Sequence, residues 1–322
     1  MEDVYVANTA TGGLCFFARV GDEVKIYRPD DYHEKYLSIS LEQWRRMAAS
    51  YSTPNDLYLY GEVVNAAWQH SGVSTIIKSS AKKLRNRMGT YHPRIWRGIF
   101  DPNGLQCYNA VDARAVYGSE YIRTNIAASS LFDQMQDLFK YAEPSAANMS
   151  TFGNRIRELL ILTCTEVEAS WRAVLERNSA APKDRYTTGD YIRVKEPLRL
   201  SEWEVALRDY PDVGTFLPFK NWSAPDTTST IPWYEAYNAV KHNRDTQFSQ
   251  ASLGNLIDAV AAVHILQAAQ WGPEMYNRFF GANSSPFWTM RHPVYDLGDL
   301  YVPPIDGSNE LSPSRYFAEV VE

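Results

Sequence analysis

A long run of helical periodicity, from Phe152 to Arg177, dominates the second half of the sequence. Apolar side chains recur along it every three or four positions, with Glu and Arg between them: Ile156, Leu159, Leu160, Leu162, Cys164, Val167, Trp171 and Val174. This spacing predicts an amphipathic helix whose apolar stripe has to be covered by other elements. The polar run from Asn178 to Pro182 should end the helix.

Three further helical segments are available to cover that stripe. They are an amphipathic run followed by Pro144, a segment whose first turn suits Pro232, and an apolar run stopped by Gly272-Pro273: 130–141, 232–245 and 253–271. Ser229 or Thr230 could cap the second of them. The connection between residues 183 and 230 should hold one short helix, Ser201 to Arg208. Four such helices predict a bundle.

The first third of the chain predicts α+β structure. The β-rich runs Leu14 to Val20 and Glu23 to Arg28 flank Gly21-Asp22, a pair that suits a two-residue hairpin turn. A second hairpin is predicted from Arg94 to Phe100 and Leu105 to Val111.

Ser40 and Gln43 have capping-box spacing and should open a short helix through Trp44 and Met47. The sequence pattern of residues 57–77 does not predict a helix or a strand. The predicted organisation is an α+β domain at 1–126, a mainly α-helical bundle at 127–272 and a C-terminal extension at 273–322 packed on the core.

Composition narrows the classes of function. The net charge of −6 over 322 residues argues against a protein coated in basic charge, but it allows a local basic patch. No apolar run approaches the ~18 residues that span a bilayer, and the N-terminus lacks a secretory signal pattern. The three cysteines, Cys15, Cys107 and Cys164, form no CxxC pair and indicate reduced thiols. We therefore expect a cytoplasmic protein without membrane contact, disulfide or metal site.

The segment from Pro232 to Asp245 carries an unusual set of polar side chains. At helical spacing Asn238 and His242 lie on one face, with Tyr234, Lys241 and Asp245 beside them. The opposite face is suited to packing and consists of Trp233, Tyr237, Val240 and Phe248.

This segment resembles the last half of a HEPN domain, a small helical bundle found in many metal-independent endoribonucleases of toxin and phage-defence systems. The family signature is an Arg, commonly a polar residue, and then a His. Asn238 and His242 match the last two, whereas Tyr237 stands where the Arg is expected; Arg244 could replace it. The resemblance covers about residues 126–272. It implies a homodimer with this helix near the two-fold axis, the common symmetry of such pairs.

The resemblance also implies roles for individual residues. His242 would move the proton when an RNA 2'-hydroxyl attacks the adjacent phosphate. Asn238 would hold the ring or the phosphate, and Lys241 or Arg244 would stabilise the developing charge, without a cofactor. Glu166 and Glu168, on the long helix, would face the helix that carries Asn238 and His242, which we call the motif helix. The alternatives are that His242 is satisfied by Asn238 or a carbonyl, and that the two Glu residues are salt-bridge partners of Arg155, Arg157 or Arg172.

The segment from Lys78 to Arg97 is basic and contains no acidic residue. Tyr91, His92 and Trp96 alternate with its cations: Lys78, Lys82, Lys83, Arg85, Arg87, Arg94 and Arg97. Cations for phosphates and flat rings for bases are what single-stranded RNA binding requires. The alternative is a solvated basic helix followed by a half-buried strand.

Two classes of function follow. In the first, the chain is an RNA-directed HEPN-like protein of a bacterial or phage conflict system, as a ribonuclease or as a degenerate RNA-binding relative. In the second, it is a non-catalytic interaction or assembly protein that uses the motif helix as an interface. An enzyme needs the polar face of that helix open to solvent, whereas a scaffold would bury it. His264, within an apolar helix, is expected to be a satisfied core residue.

Overall fold

The computed structural model describes residues 4–29, 34–40, 42–43, 76–101, 107–179, 181–276, 284–305 and 311–319. The chain divides into two compact units. The first contains Met1–Tyr91, Arg97–Val111 and Val294–Pro313, and the second contains His92–Trp96, Asp112–Pro293 and Ser314–Glu322. The predicted boundary after residue 126 lies inside the second unit, and the chain after residue 273 is shared between the two.

The first unit contains a five-stranded antiparallel sheet. It is ordered β4-β3-β2-β1-β5 and consists of β1 (Val4–Asn8), β2 (Leu14–Val20), β3 (Glu23–Pro29), β4 (Glu34–Ser40) and β5 (Lys82–Lys83). The first predicted hairpin is confirmed, because Val20 pairs with Glu23. Gly21 supplies the positive φ of 60° that this tight turn favours. Phe17 and Ile26 are buried in its core.

The remaining strands of the first unit are short. β6 (Thr90–Tyr91) pairs with β12 (Ser312–Pro313) in parallel, and β7 (Ile99–Phe100) pairs with β8 (Cys107–Tyr108) in antiparallel orientation. The second predicted hairpin therefore exists, but the expectation that its first strand begins at Arg94 is wrong.

The Ser40 cap is confirmed, since its Oγ accepts a hydrogen bond from the Gln43 amide at 3.2 Å. The rest of that predicted helix lies outside the described residues.

Helices dominate the second unit. They are α1 (Ala113–Tyr117), α2 (Ser119–Phe139), α3 (Asn154–Asn178), α4 (Thr188–Tyr191), α5 (Pro232–His242), α6 (Arg244–Gln247) and α7 (Leu253–Trp271). α7 is central, because it contacts α2, α3 and α5 and is buried along almost its whole length. Ser252 caps it by accepting a hydrogen bond from the Asn255 amide at 3.3 Å, and Gly272 ends it at a φ of 108°. The predicted long and final helices are confirmed as α3 and α7.

Three local predictions in this unit are wrong. α2 begins at Ser119 rather than Ser130. The segment predicted as a helix near Ser201 is a 3-10 turn followed by strand β9 (Glu204–Leu207). β9 lies between β10 (Thr215–Phe216) and β11 (Phe287–Arg291) in a three-stranded sheet. The third error concerns the cap of α5. Ile231 occupies that position, whereas the Thr230 hydroxyl donates to the carbonyl of Asp226 at 2.8 Å.

The fold therefore mixes helices and sheets. Within the described ranges, none of the helices has the length and apolar character needed to cross a membrane.

Candidate functional site

The buried side of α5 packs through aromatic side chains. Trp233, Tyr234, Tyr237 and Val240 are all buried. The indole of Trp233 donates to the carbonyl of Pro218 at 3.0 Å. The predicted packing face is thus correct for Trp233, Tyr237 and Val240, but Tyr234, predicted to lie beside the polar face, belongs to the buried side. Burial supplies the stabilisation here, because each large aromatic ring removes much apolar area from water.

Tyr234 is held inward by α3. Its hydroxyl donates a hydrogen bond to Glu168 Oε1 at 2.6 Å. Burial, and then this bond to a carboxylate, raise the pKa of Tyr234 well above its ordinary value, so the phenol stays protonated. Glu168 therefore faces the motif helix, as the sequence suggested for both Glu residues. Burial raises the pKa of the Glu166 carboxyl, and the positive charge of Arg94 opposes that shift.

Tyr237, which occupies the position of the family Arg, holds a cation. Its hydroxyl accepts a hydrogen bond from Lys241 Nζ at 2.8 Å, and the same ammonium lies 4.9 Å from the centre of the Tyr237 ring. The bond raises the pKa of Lys241, which keeps the exposed ammonium charged. The pair lies at helical spacing i, i+4. One buried aromatic residue thus fixes a positive charge at the edge of the exposed face.

The exposed face of α5 presents Asn238 and His242. Asn238 is half-buried, whereas His242 is exposed and forms no hydrogen bond with the described part of the chain. The alternative in which Asn238 satisfies the His242 ring is therefore not what the structure shows. Asn238 lies one helical turn before both Lys241 and His242, so the three side chains share one edge of the helix.

The helix ends at His242. Asn243, with φ −130° and ψ 56°, separates α5 from α6, which begins at Arg244. The helix predicted to run without a break from residue 232 to residue 245 is therefore interrupted at Asn243.

A further cation, Arg157, reaches this end from α3. Its Nε and Nη2 atoms donate to the carbonyl oxygen of Val240 at 3.3 and 3.1 Å. A cation at this place offsets the partial negative charge of a helix C-terminus. From the sequence, Arg157 was expected only as a possible salt-bridge partner of the α3 Glu residues, because a bond to a distant carbonyl leaves no spacing signal. Arg157 and Lys241 thus place two cations at the last turn of α5, the turn that also carries the exposed His242.

The predicted RNA-binding segment does not form one surface. Lys82, Lys83, Arg85 and Arg87 are exposed in the first unit, and Lys78 lies in a 3-10 turn just before them. Arg85 forms an ion pair with Asp299. Lys82 and Lys83 form β5 at the edge of the five-stranded sheet, where lysines also prevent edge-to-edge pairing.

Arg94, Trp96 and Arg97 are buried rather than displayed. Arg94 donates to Gln270 Oε1 at 2.7 Å and Glu120 Oε1 at 3.1 Å, and its burial lowers the pKa of the guanidinium. Arg97 lies over the Tyr295 ring at 4.6 Å. These side chains pack inside the protein. An RNA phosphate therefore cannot reach the two buried guanidinium groups. Arg94, Trp96 and Arg97 were predicted to contact nucleic acid together with the other cations of the segment, whereas the structure buries all three.

His264 is the satisfied core residue that was expected. Its Nδ1 lies 2.8 Å from Ser285 Oγ and its Nε2 lies 3.0 Å from Thr289 Oγ1. Among the residues that the structure describes, no three His, Cys, Asp or Glu side chains are grouped as metal ligands.

Comparisons with protein-family models, with curated proteins and with solved structures found no match for this chain.

Proposed function

We propose that this protein acts on RNA through the exposed end of α5, as a metal-independent endoribonuclease of the HEPN type. One observation carries the proposal: His242 is exposed, and on the same helix edge it has a fixed ammonium, Lys241, and an amide, Asn238. A proton-transfer group, a cation and a hydrogen-bonding amide are the parts that phosphodiester transfer needs.

The chemistry follows from these groups. His242 takes the proton from an RNA 2'-hydroxyl, whose oxygen attacks the adjacent phosphorus. The bond from phosphorus to the 5'-oxygen breaks, and that oxygen gains a proton. The products are a 2',3'-cyclic phosphate and a 5'-hydroxyl. Lys241 stabilises the negative charge that builds on the phosphate oxygens, and Asn238 orients the phosphate.

The arrangement around α5 supports the family assignment within this proposal. α2, α3 and α5 all contact α7, as in a four-helix bundle. An acidic residue of the long helix, Glu168, faces the motif helix through Tyr234. We extend the resemblance to a role in bacterial or phage conflict, in the cytoplasm, where RNA is the target.

The exposed cations of the first unit, Lys82, Lys83 and Arg87, support RNA contact outside the cleavage site. Cations that follow the backbone are a common feature of proteins that bind single-stranded nucleic acid.

A direct test is RNA cleavage by the wild-type protein in excess EDTA. We expect cleavage of single-stranded RNA to continue without divalent metal and the new 3' ends to be 2',3'-cyclic phosphates. End-group analysis by mass spectrometry distinguishes them from 3'-hydroxyl ends. Binding without cleavage would overturn the catalytic proposal and favour the degenerate RNA-binding relative. If the protein neither binds nor cleaves RNA, that result would favour the second class of function, a non-catalytic interaction or assembly protein that uses the motif helix as an interface.

A further inference from the structure

The three-stranded sheet of the second unit has one buried face and one open face. Val205 and Leu207 on β9 and Phe287 on β11 are buried. Successive side chains of a strand point to opposite faces, so the residues between them lie on the open face. The pairing continues one residue past β9, because the Arg208 amide donates to the Pro286 carbonyl at 2.8 Å. The open face therefore carries Glu204, Ala206, Arg208 and Trp288.

Trp288 is the large apolar side chain of this face, and it is 40% exposed. The residue paired with it on β9 is Ala206, which in turn pairs with Thr215 on β10. The neighbouring strand thus places only a methyl group beside the indole. An exposed indole next to such a small side chain leaves a surface on which another flat ring can stack.

Arg208 covers part of the indole and brings a positive charge to it. Its guanidinium carbon lies 4.5 Å from the centre of the Trp288 ring. Its Nε atom is buried without a hydrogen-bond partner, and the guanidinium forms no ion pair within the described ranges. An Arg with unused donors and an uncompensated charge favours an anionic ligand, since each donor without an acceptor costs free energy.

A second cation, Arg291, lies on the other side of Trp288 along β11. The register shift between Thr289 and Arg291 pairs Arg291 with Glu204 and returns its side chain to the open face. The Arg291 Nη2 atom is 3.5 Å from Glu204 Oε2, and the Arg291 side chain is 57% exposed. An exposed pair of this length contributes little stability, so a stronger anion can displace the carboxylate. The open face thus presents a cation, an aromatic ring and a cation in a row.

We propose that this open face binds single-stranded RNA, with one unpaired base stacked on Trp288 and the flanking phosphates at Arg208 and Arg291. A single strand alternates phosphates with flat bases, and any base can stack on an indole. Arg donates two parallel hydrogen bonds to a phosphate. A duplex hides the faces of its bases, and an acidic peptide would leave the indole uncovered. This site lies on different elements from the end of α5 and rests on the proposed function only in the choice of RNA.

The test is binding of a fluorescein-labelled 2'-O-methyl oligouridylate to the full-length protein, followed by fluorescence anisotropy. This strand lacks the 2'-hydroxyl that the proposed cleavage needs, so binding is measured whether or not the protein is a ribonuclease. W288A should weaken binding by at least about fivefold in Kd, because the stacked base loses its partner. W288F, which keeps a flat ring, should retain most of the affinity. R208A and R291A should each lower the slope of log affinity against log salt by about 0.7.

The matched controls are Y141A and K140A, which remove a 90% exposed aromatic ring and an exposed cation at the end of α2. Both should bind like wild type, and circular dichroism should show that every variant is folded. Equal losses in W288A and W288F would assign the indole to packing and overturn the proposal. Wild-type protein that does not bind the strand, or W288A that binds it as tightly as wild type, would overturn it as well. Cleavage of ordinary RNA in EDTA tests the end of α5 separately.

Discussion

Tyr237 and Lys241 show how a single position can serve both packing and charge. Tyr237 is 1% exposed, and its hydroxyl accepts a hydrogen bond from the ammonium of the exposed Lys241. The helical pattern predicted the packing role of Tyr237, and the i, i+4 spacing would have indicated the bond to Lys241. Tyr234 could not be placed correctly in this way. Its hydroxyl turns inward because of Glu168, a partner on another helix that no spacing reveals.

A pH prediction concerns His264. Burial, and then the positive charge of Arg208, lower the pKa of His264 in the folded protein to about 3. In the unfolded chain the pKa of this imidazole is near its ordinary value of about 6.5. Between those two values the unfolded state holds more protons, so stability falls as pH falls. The His264 contribution should change by about 1.4 kcal/mol per pH unit below pH ~6.5.

The measurement compares the unfolding free energies of wild type and His264→Gln by urea denaturation between pH 7 and pH 4. The variant should be less stable at pH 7, and the difference should shrink as pH falls. Burial raises the pKa of Asp258, also on α7, to about 7, which favours the folded state at low pH. Asp258 titrates in both proteins and cancels in the comparison. A difference that stays constant with pH would show that His264 is not held neutral.

Elements with a clear apolar pattern or a characteristic turn sequence could be predicted, and the others could not. α3 and α7 follow their apolar periodicity, and the β2–β3 hairpin follows its turn residues. The first half of α2 escaped prediction because its pattern is inverted there, with Ile122 and Ile126 outside and Asn125 inside. β9 escaped it because its strand state depends on pairing with β11, which is distant in the sequence.

The exposed cations in and after β5 allow a test of RNA binding by the first unit. Replacing Lys82, Lys83 and Arg87 by Ala should weaken single-stranded RNA binding and reduce the slope of log affinity against log salt. Each lost phosphate contact should lower that slope by about 0.7, so a total near 2 is expected. Fluorescence anisotropy over a range of salt concentrations measures it.

The control removes three exposed cations of the second unit: Lys140, Arg155 and Lys220. It changes the net charge equally but should leave the slope close to that of wild type. Equal losses in both triple variants would mean that β5 makes no specific contact with RNA and that its lysines serve to protect the sheet edge.

For the whole molecule, the central feature is the division of chemistry between the two units. The exposed cations of the first unit and the exposed end of α5 in the second are separate candidates for RNA contact, and each lies within one unit. Residue types alone predicted both. That residues 92–96 belong to the second unit could not be predicted, since a change of unit within an apparent hairpin leaves no local pattern. The proposed activity depends on the second unit alone.

The most direct test of that activity is metal-free RNA cleavage by His242→Ala, measured together with its melting temperature. His242 is exposed, so the substitution should abolish cleavage while changing the unfolding free energy by no more than about 0.5 kcal/mol. Tyr237→Ala, the buried counterpart on the same helix, should instead lose about 3 kcal/mol or more of stability. If His242→Ala cleaves RNA as fast as wild type, the end of α5 is not the catalytic site.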